Sequence, residues 1–433
     1  MQDIFGIIKE VGDAVTPGGE EREKLDAAVK QVEGLLLANG IRYEIGGSYA
    51  RDTWLPGDAD VDFFMIYPPE WGADKINSQG LQDAESVLRE FPHWKRFAEH
   101  PYLEGVVKGV TVNLVPCADT QQGAWITSMD RSRFHTLLLK QLLDDEKRRQ
   151  VRVLKSFLKA NGIYGAEVRI GGFSGYVTEI LTVKYGSFIE VLKGAREWKR
   201  GTIISLSGSP SQPFNSPIVM LDPVDGNRNL AAAIRPSNLA TFQLLAAKFL
   251  ESPSSSFFRE KGKKFDPAFA SSTISVVFRA PDKVEEIRWS EYQKSCRAIF
   301  NELKNEGFGP VTFTIYESKG WVSFTFLVTF TRSQIKIKAG PPVENISASL
   351  EFIRVNKNTF VGDDMKIYSV KERDLRDVHE VIARSLEKPV EKGIARGLLD
   401  SLKTAKIVNY SDCLNEEYFS AVSGSLNDIF QFI

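Results

Sequence analysis

Cysteine is scarce in this chain. Only Cys117, Cys296 and Cys413 are present, far apart and without a CxxC pair. That spacing speaks against the disulfide framework of a secreted scaffold and against cysteine-built zinc, and makes buried reduced thiols the expectation. Histidine is nearly as scarce, with His93, His100, His135 and His379 among 433 residues, so a histidine-built metal centre has little support. No apolar run is long enough to span a membrane, and the opening MQDIFGIIKEVGDA carries acidic residues where a secretory signal would carry basic ones. A cytoplasmic protein with no membrane partner is expected. Excess charge of either sign is missing too, the net charge being −1. A nucleic-acid binder with that balance must sort its charge into faces. The absence of GxxxxGK[ST] removes the P-loop route to a phosphate site.

What is present is ordinary for a globular protein: 42% apolar and 26% charged residues, in a chain long enough for two to four domains. Basic residues cluster at Lys147, Arg148, Arg149, Arg152, Lys155 and Lys159, then at Lys193, Arg196, Lys199 and Arg200, then at Arg259, Lys261, Lys263 and Lys264. Any one of these is more often a solvated helix face than a binding surface.

Apolar residues at Leu25, Val29, Val32 and Leu36 predict an amphipathic helix over 17–37, with Pro17 near its start and Gly40 past its end. Tyr43 to Ile45 reads as a strand, Gly46 to Ser48 as a turn, Tyr49 to Trp54 as the first turns of a helix, and Leu55 to Asp58 as a loop. Val61, Phe63 and Met65 alternate with Asp60, Asp62 and Phe64, the period of a strand. Residues 78–96 read as helix, 105–116 as two strands turning at Lys108 and Gly109, and 136–160 as one long helix. A mainly helical unit follows, with a Ser/Pro-rich loop at 205–217 and an exit near 252–258. Beyond about Phe265, TISVVFRA, a helix over WSEYQKSCRAIFNELKNEG and a hairpin turning at Ser318, Lys319 and Gly320 predict a small α+β domain. Residues 373–406 read as helical and basic on one side.

Side chains two apart on a strand share a face, so Asp60 and Asp62 present two carboxylates side by side. Adjacent negative charges are costly unless a hard cation such as Mg2+ joins them. A bare DxD is more often an accident. Here a Gly-Ser turn opening a helix, Gly47 and Ser48, offers backbone N–H groups to a phosphate, and Arg51 adds a charged fork. Phosphate grip and metal clamp converge on a nucleoside triphosphate site of the nucleotidyltransferase kind.

GS followed by DxD at this spacing resembles the polymerase-beta-like nucleotidyltransferase superfamily. GGSYARDTWL, AEHPYLEGVVKGVTV, VRVLKSFLKANGIYGAE, GFSGY and LDPVDGNRNLAA, in order from about residue 46 to 235, resemble the archaeal class I CCA-adding enzymes, which build the CCA 3′ end of transfer RNA. The resemblance implies a multidomain α+β chain: a nucleotidyltransferase head with a mixed β-sheet at 1–140, a helical neck at 141–258, a small α/β body at 259–370 and a helical, transfer-RNA-binding tail at 371–433. It implies that Gly47, Ser48 and Arg51 grip the triphosphate and that Asp60 and Asp62 hold Mg2+. Ser132, His135, Lys155 and Tyr164 would supply further nucleotide contacts, and Arg228 would help to recognise the incoming base. Glu99 and His100 fall near the template-like region, and Lys388, Lys392 and Arg396 are RNA-binding candidates. Read without the family, His135 could cap or pack, Tyr164 could be core, Lys155 and Lys159 could face solvent, and Arg228 could pair with Asp225.

One position departs from the family pattern. GVTVNLVPC has Asn113 where the resemblance calls for a third metal-binding aspartate. Three accounts compete: an introduced exchange that traps RNA and nucleotide without turnover, a natural change that lowers activity, or conversion to a non-catalytic transfer-RNA-binding protein. The first is favoured, since the rest of the site is intact. The expected substrates are CTP, ATP and the acceptor stem and T arm of transfer RNA, with a homodimer left open. A poly(A) or oligoadenylate type of RNA nucleotidyltransferase is the alternative enzyme.

Overall fold

The computed structural model describes residues 3–97, 100–210, 212–260 and 265–430. They divide into two compact units, one ending at residue 260 and the other beginning at 265.

In the first unit, helix α1 (Ile4–Ala14) starts on an Asp3 cap and α2 (Gly19–Ala38) carries Glu20 and Glu21 in its first turn, where they complement the helix dipole. Strand β1 (Tyr43–Gly46) leads into the one-turn helix α3 (Gly47–Arg51), which ends where Asp52 turns left-handed. Then come β2 (Asp60–Tyr67), α4 (Gly72–Val87), β3 (His93–Phe97), β4 (Pro101–Val107) and β5 (Val110–Ala118). The strands form a mixed sheet in the order β1-β2-β5-β4-β3, with β2 and β5 parallel and the other neighbours antiparallel. Lys108 and Gly109 both have positive φ, the signature of a tight two-residue hairpin turn. Val61, Phe63 and Met65 face a core built with α2 and α4, while Phe64 and Ile66 are buried on the opposite face with Val115 and Cys117.

Three expectations fail here. The helix expected from Tyr49 to Trp54 instead runs from Gly47 to Arg51, taking in part of the expected turn. The helix expected over 78–96 ends at Val87, and 93–97 instead form an edge strand on β4. The long helix expected over 136–160 is two helices, α5 (Asp130–Leu142) and α6 (Asp145–Ala160). Leu143 is extended, and the Asp144 carboxylate caps α6 by accepting from the Lys147 N–H at 2.8 Å. Leucine periodicity runs through the break because both helices bury apolar faces.

Helices α7 (Gly175–Tyr185) and α8 (Phe188–Glu197), the short strands β6 (Thr202–Ile204) and β7 (Ile218–Met220), and α9 (Pro236–Glu251) complete the unit. Phe157, Phe188, Phe242, Phe249 and Phe257 centre their core, which α1 joins through Ile7, Ile8 and Val11.

In the second unit, β8 (Thr273–Arg279), α10 (Glu285–Asn305), β9 (Pro310–Ser318) and β10 (Trp321–Val328) include a hairpin that turns at Lys319 and Gly320, both with positive φ. Trp321 and Phe324 are buried. Strand β11 (Ile335–Pro342), α11 (Ile346–Val355), β12 (Thr359–Val361) and β13 (Lys366–Glu372) form a three-stranded sheet with one helix. Helices α12 (Val378–Glu387) and α13 (Leu399–Leu402), β14 (Lys406–Val408) and α14 (Phe419–Ile429) follow, and β14 extends the β8-β10-β9 sheet. All three cysteines are buried free thiols, and no helix of the described residues is long and apolar enough to cross a membrane.

Candidate active site

Parallel pairing of β2 with β5 sets Asp62 opposite Asn113 and Asp60 opposite Thr111. The Asn113 amide donates to Asp60 Oδ2 at 3.1 Å and to Asp62 Oδ1 at 2.9 Å, while its own Oδ1 is buried without a partner. Burial, then the neighbouring Asp62 charge, pushes the Asp60 carboxyl up to about 6; burial also raises Asp62, against the Asn113 bond and the Arg51 charge. Two partly desolvated acids with only a neutral amide between them fit a hard divalent cation, which would take the place of the protons they otherwise favour. Among the described residues no set of three His, Cys, Asp or Glu side chains gathers for a metal, so two carboxylates and an unsatisfied amide oxygen are what this site offers.

The raised Asp60 value has a pH consequence. A carboxyl at about 6 in the native state, against 3.8 ordinarily, binds its proton more tightly folded than unfolded. Its stabilisation is therefore complete below the lower value and lost as pH rises through the higher one. In chelator, the melting temperature of the unaltered chain should fall relative to Asp60→Asn across that window, and Mg2+ near neutral pH should reverse the loss. A gap that stays flat with pH would show that the carboxylates are not held as described.

The turn before these strands packs directly on them. Gly47 has φ 67°, and a Cβ there would collide with the Asp62 carboxylate, so glycine is needed both for the turn and for the approach. Ser48 is partly buried on α3. Arg51 is buried, with Nε 3.0 Å from Glu179 of α7 and Nη1 donating to Thr136 Oγ1 at 3.2 Å. Lys155, on α6, is 1% exposed and donates to the Thr53 carbonyl at 2.8 Å, with its ammonium 3.9 Å from Glu179. Burial, partly offset by Glu179, lowers Lys155 to about 8. The solvent-facing alternative for Lys155 is thus wrong. Tyr164 is partly buried, and burial raises its phenol.

Next to this cluster lies a cavity of about 820 Å³, lined by Ser132 and His135 of α5, His100, Tyr176 and Arg228 among others. His135 Nε2 lies 2.9 Å from Asp222 Oδ2, and its ring stacks on Tyr176 with centroids 4.1 Å apart. Arg228 Nη1 donates to the same Asp222 oxygen at 3.4 Å while nearly half of its side chain stays exposed; Arg131, not Arg228, pairs with Asp225. Burial lowers His135, with Arg228 and Arg51 adding to that effect against Asp222. Burial works to raise Asp222, but the His135 bond and the Arg228 charge outweigh it and leave it below the ordinary range. Arg51 therefore acts electrostatically on both Asp62 and His135 of the cavity wall.

The basic stretch 147–159 is committed to ion pairs within the chain. Lys147 pairs with Asp144, Arg148 with Asp145, Arg149 with Asp13, Arg152 with Asp52 and Lys159 with Asp58. Residue spacing reveals the first two pairs, three positions apart, but not the others, since Asp13, Asp52 and Asp58 come from distant segments. Glu99, Lys261, Lys263 and Lys264 lie outside the described residues. In the second unit Lys388 is exposed, 3.8 Å from Glu391; Lys392 donates to Glu302 at 2.6 Å; and Arg396 is exposed at the start of a short 3-10 turn.

Sequence reasoning passed over several groups at the site. Asp130 is fully buried and accepts from the N–H groups of Ala118, Ile126 and Thr127, tying the end of β5 to the start of α5. Tyr176 closes the GFSGY block, yet only the structure shows its hydroxyl buried without a partner beside the cavity. Glu179 and Asp222 carried no signal beyond being acids inside matched or adjoining apolar segments.

A mixed sheet with paired aspartates on one strand, a Gly-Ser turn packed against them and a neighbouring polar cavity defines a nucleotidyltransferase. The nucleotidyltransferase domain family matches residues 25–135, the second domain of tRNA nucleotidyltransferase matches 149–259, and the C-terminal domain of the CCA-adding enzyme matches 270–408. The CCA-adding enzyme of Sulfolobus acidocaldarius is 32% identical over 88% of this chain and 91% of its own length; that of Archaeoglobus fulgidus is 35% identical over 81% and 82%. The chain belongs to the CCA-adding enzyme family. A solved cytoplasmic RNA terminal U-transferase covers 60% of this chain at 14% identity with a TM-score of 0.48, too distant to bear on the site.

Proposed function

We propose that this chain adds cytidine, cytidine and adenosine to the 3′ end of transfer RNA from CTP and ATP, without a nucleic-acid template. The observation that carries this reading is the Asp60–Asp62–Asn113 cluster packed against the Gly47 turn, in a chain of this family. The terminal ribose 3′ hydroxyl gives up its proton to solvent as its oxygen attacks the α-phosphorus, the bond to the bridging oxygen breaks, and pyrophosphate leaves. Asp60 and Asp62 would hold Mg2+, which in a two-ion arrangement lowers the pKa of the attacking hydroxyl and neutralises the departing pyrophosphate. The Ser48 turn, Arg51 and Lys155 orient the phosphates, with Ser132, His135 and Tyr164 beside them. Arg228, half-exposed and aimed by Asp222, offers donors to the acceptor edges of cytosine and adenine; uracil and guanine present an N–H there instead.

Asn113 bears on rate more than on binding. Its amide donates to both carboxylates, so a cation must compete with two charge-assisted hydrogen bonds and gains no third negative charge. The nucleophile-side ion would be weakened most, because the triphosphate itself helps to hold the other. The same residue is the single observation favouring a transfer-RNA-binding protein without turnover.

The test is incubation with transfer RNA lacking its CCA end, with CTP, ATP and Mg2+, reading product length at single-nucleotide resolution. Three added residues support the proposal; a growing adenosine tail would replace it with a poly(A) activity. Transfer-RNA affinity should also fall steeply between low and moderate salt, as phosphate contacts release counterions.

A further inference from the structure

Glu179 is a fully buried carboxylate outside every motif that suggested nucleotide chemistry. It sits on α7, 128 positions from Arg51 in sequence, yet the Arg51 Nε is 3.0 Å away, the Lys155 ammonium is 3.9 Å away and the Thr53 hydroxyl donates to it. A buried anion is tolerated only with such partners. Burial works to raise it, but Arg51, Lys155 and the Thr53 bond keep its carboxyl below the usual range, so it is charged. Asp62 also acts on Arg51 and Asp60 on Lys155; once a divalent cation takes up that pair, two cations against one anion leave the cluster short of one negative charge. The phosphates of a nucleotide would supply it.

We propose that Glu179 is a positioning residue for the triphosphate grip, holding Arg51 and Lys155 in one fixed arrangement from the opposite side to the phosphates. This rests on the reading above that Arg51 and Lys155 bind the triphosphate. Without the Glu179 charge, the Asp62 carboxylate, whose field Arg51 already feels, competes for that guanidinium. Nucleotide affinity then falls although neither metal-binding carboxylate is itself substituted. A purely structural clamp between α3, α6 and α7 would lower stability and leave the affinity alone.

The experiment measures equilibrium binding of CTP with Mg2+ to the full chain, alongside melting temperature, for Glu179→Gln, Glu179→Asp, Arg51→Ala, Lys155→Ala and the Glu179→Gln/Arg51→Ala pair. Glu179→Gln should weaken CTP by about tenfold or more, Glu179→Asp should recover part of that, and the pair should be little worse than Arg51→Ala, since residues acting through one another are not additive. If Glu179→Gln melts earlier but binds CTP within about twofold of the unaltered chain while Arg51→Ala binds poorly, the positioning role is wrong and the grip stands. Should neither Arg51→Ala nor Lys155→Ala weaken CTP, the grip itself is wrong and this inference falls with it. Thr53→Val, which removes one donor to Glu179 at nearly constant volume, serves if Glu179→Gln does not fold; it should weaken CTP in the same direction, and unchanged binding would overturn the proposal.

Discussion

Asn113→Asp is expected to raise single-turnover addition of radiolabelled CTP and ATP to a CCA-less transfer RNA by at least about a hundredfold at fixed Mg2+. Asparagine and aspartate share a shape, so the exchange changes charge and hydrogen bonding with little repacking. In the present chain the amide satisfies both carboxylates and holds them together; in the variant three acids would crowd one face of the paired strands β2 and β5. That crowding should lower the melting temperature in chelator and make stability rise more steeply with Mg2+ than in the unaltered chain. Rate and metal-dependent stability are independent readouts of one charge. Equal, rapid addition by both forms would keep the function and discard the account of the third ligand. No product from either would leave transfer-RNA binding as the surviving function.

Asp62→Asn, made in the Asn113→Asp background so that activity is measurable, is expected to cost at least about a thousandfold in the same assay. Asp62 stands opposite position 113, packs on the Gly47 turn and feels the Arg51 charge, so on the proposed reading it would link metal, turn and phosphate grip. The sign of its stability effect should oppose its catalytic effect. Burial raises Asp62, meaning that its charged form is unfavourable in the metal-free native state. Removing the charge should leave melting in chelator unchanged or higher, while Mg2+ stabilisation disappears. A variant that loses activity and melts much earlier in chelator would instead mark Asp62 as part of the fold's scaffold.

Asp222 and Glu179 work alike in this molecule. Each is a buried carboxylate that ties a cation of the site to a second element: Asp222 joins Arg228 to His135, and Glu179 joins Arg51 to Lys155. Arginine on a buried acid is pre-aimed, so less side-chain freedom is lost when a ligand arrives.

How much of this could be read from the chain alone follows the range of the forces involved. The strand at Asp60–Tyr67, the hairpin turns at Lys108–Gly109 and Lys319–Gly320 and the pairing of Asp60 with Asp62 on one face were legible, because backbone sterics and a two-residue period act between neighbours in sequence. The sequence also singled out Asn113, which the fold sets opposite Asp62. What the tertiary structure alone decided is which charges meet. Leucine spacing ran through the break at Asp144, and residues 93–97 became a strand because β4 offered them an edge. Lys155, one of a run of basic residues, is buried beside an acid from α7, and Arg152 is spent on Asp52 and the Trp54 carbonyl. A charge carries no periodic signature of its partner. The cost of burying it is met only when distant segments fold together, so its role exists only in the assembled core.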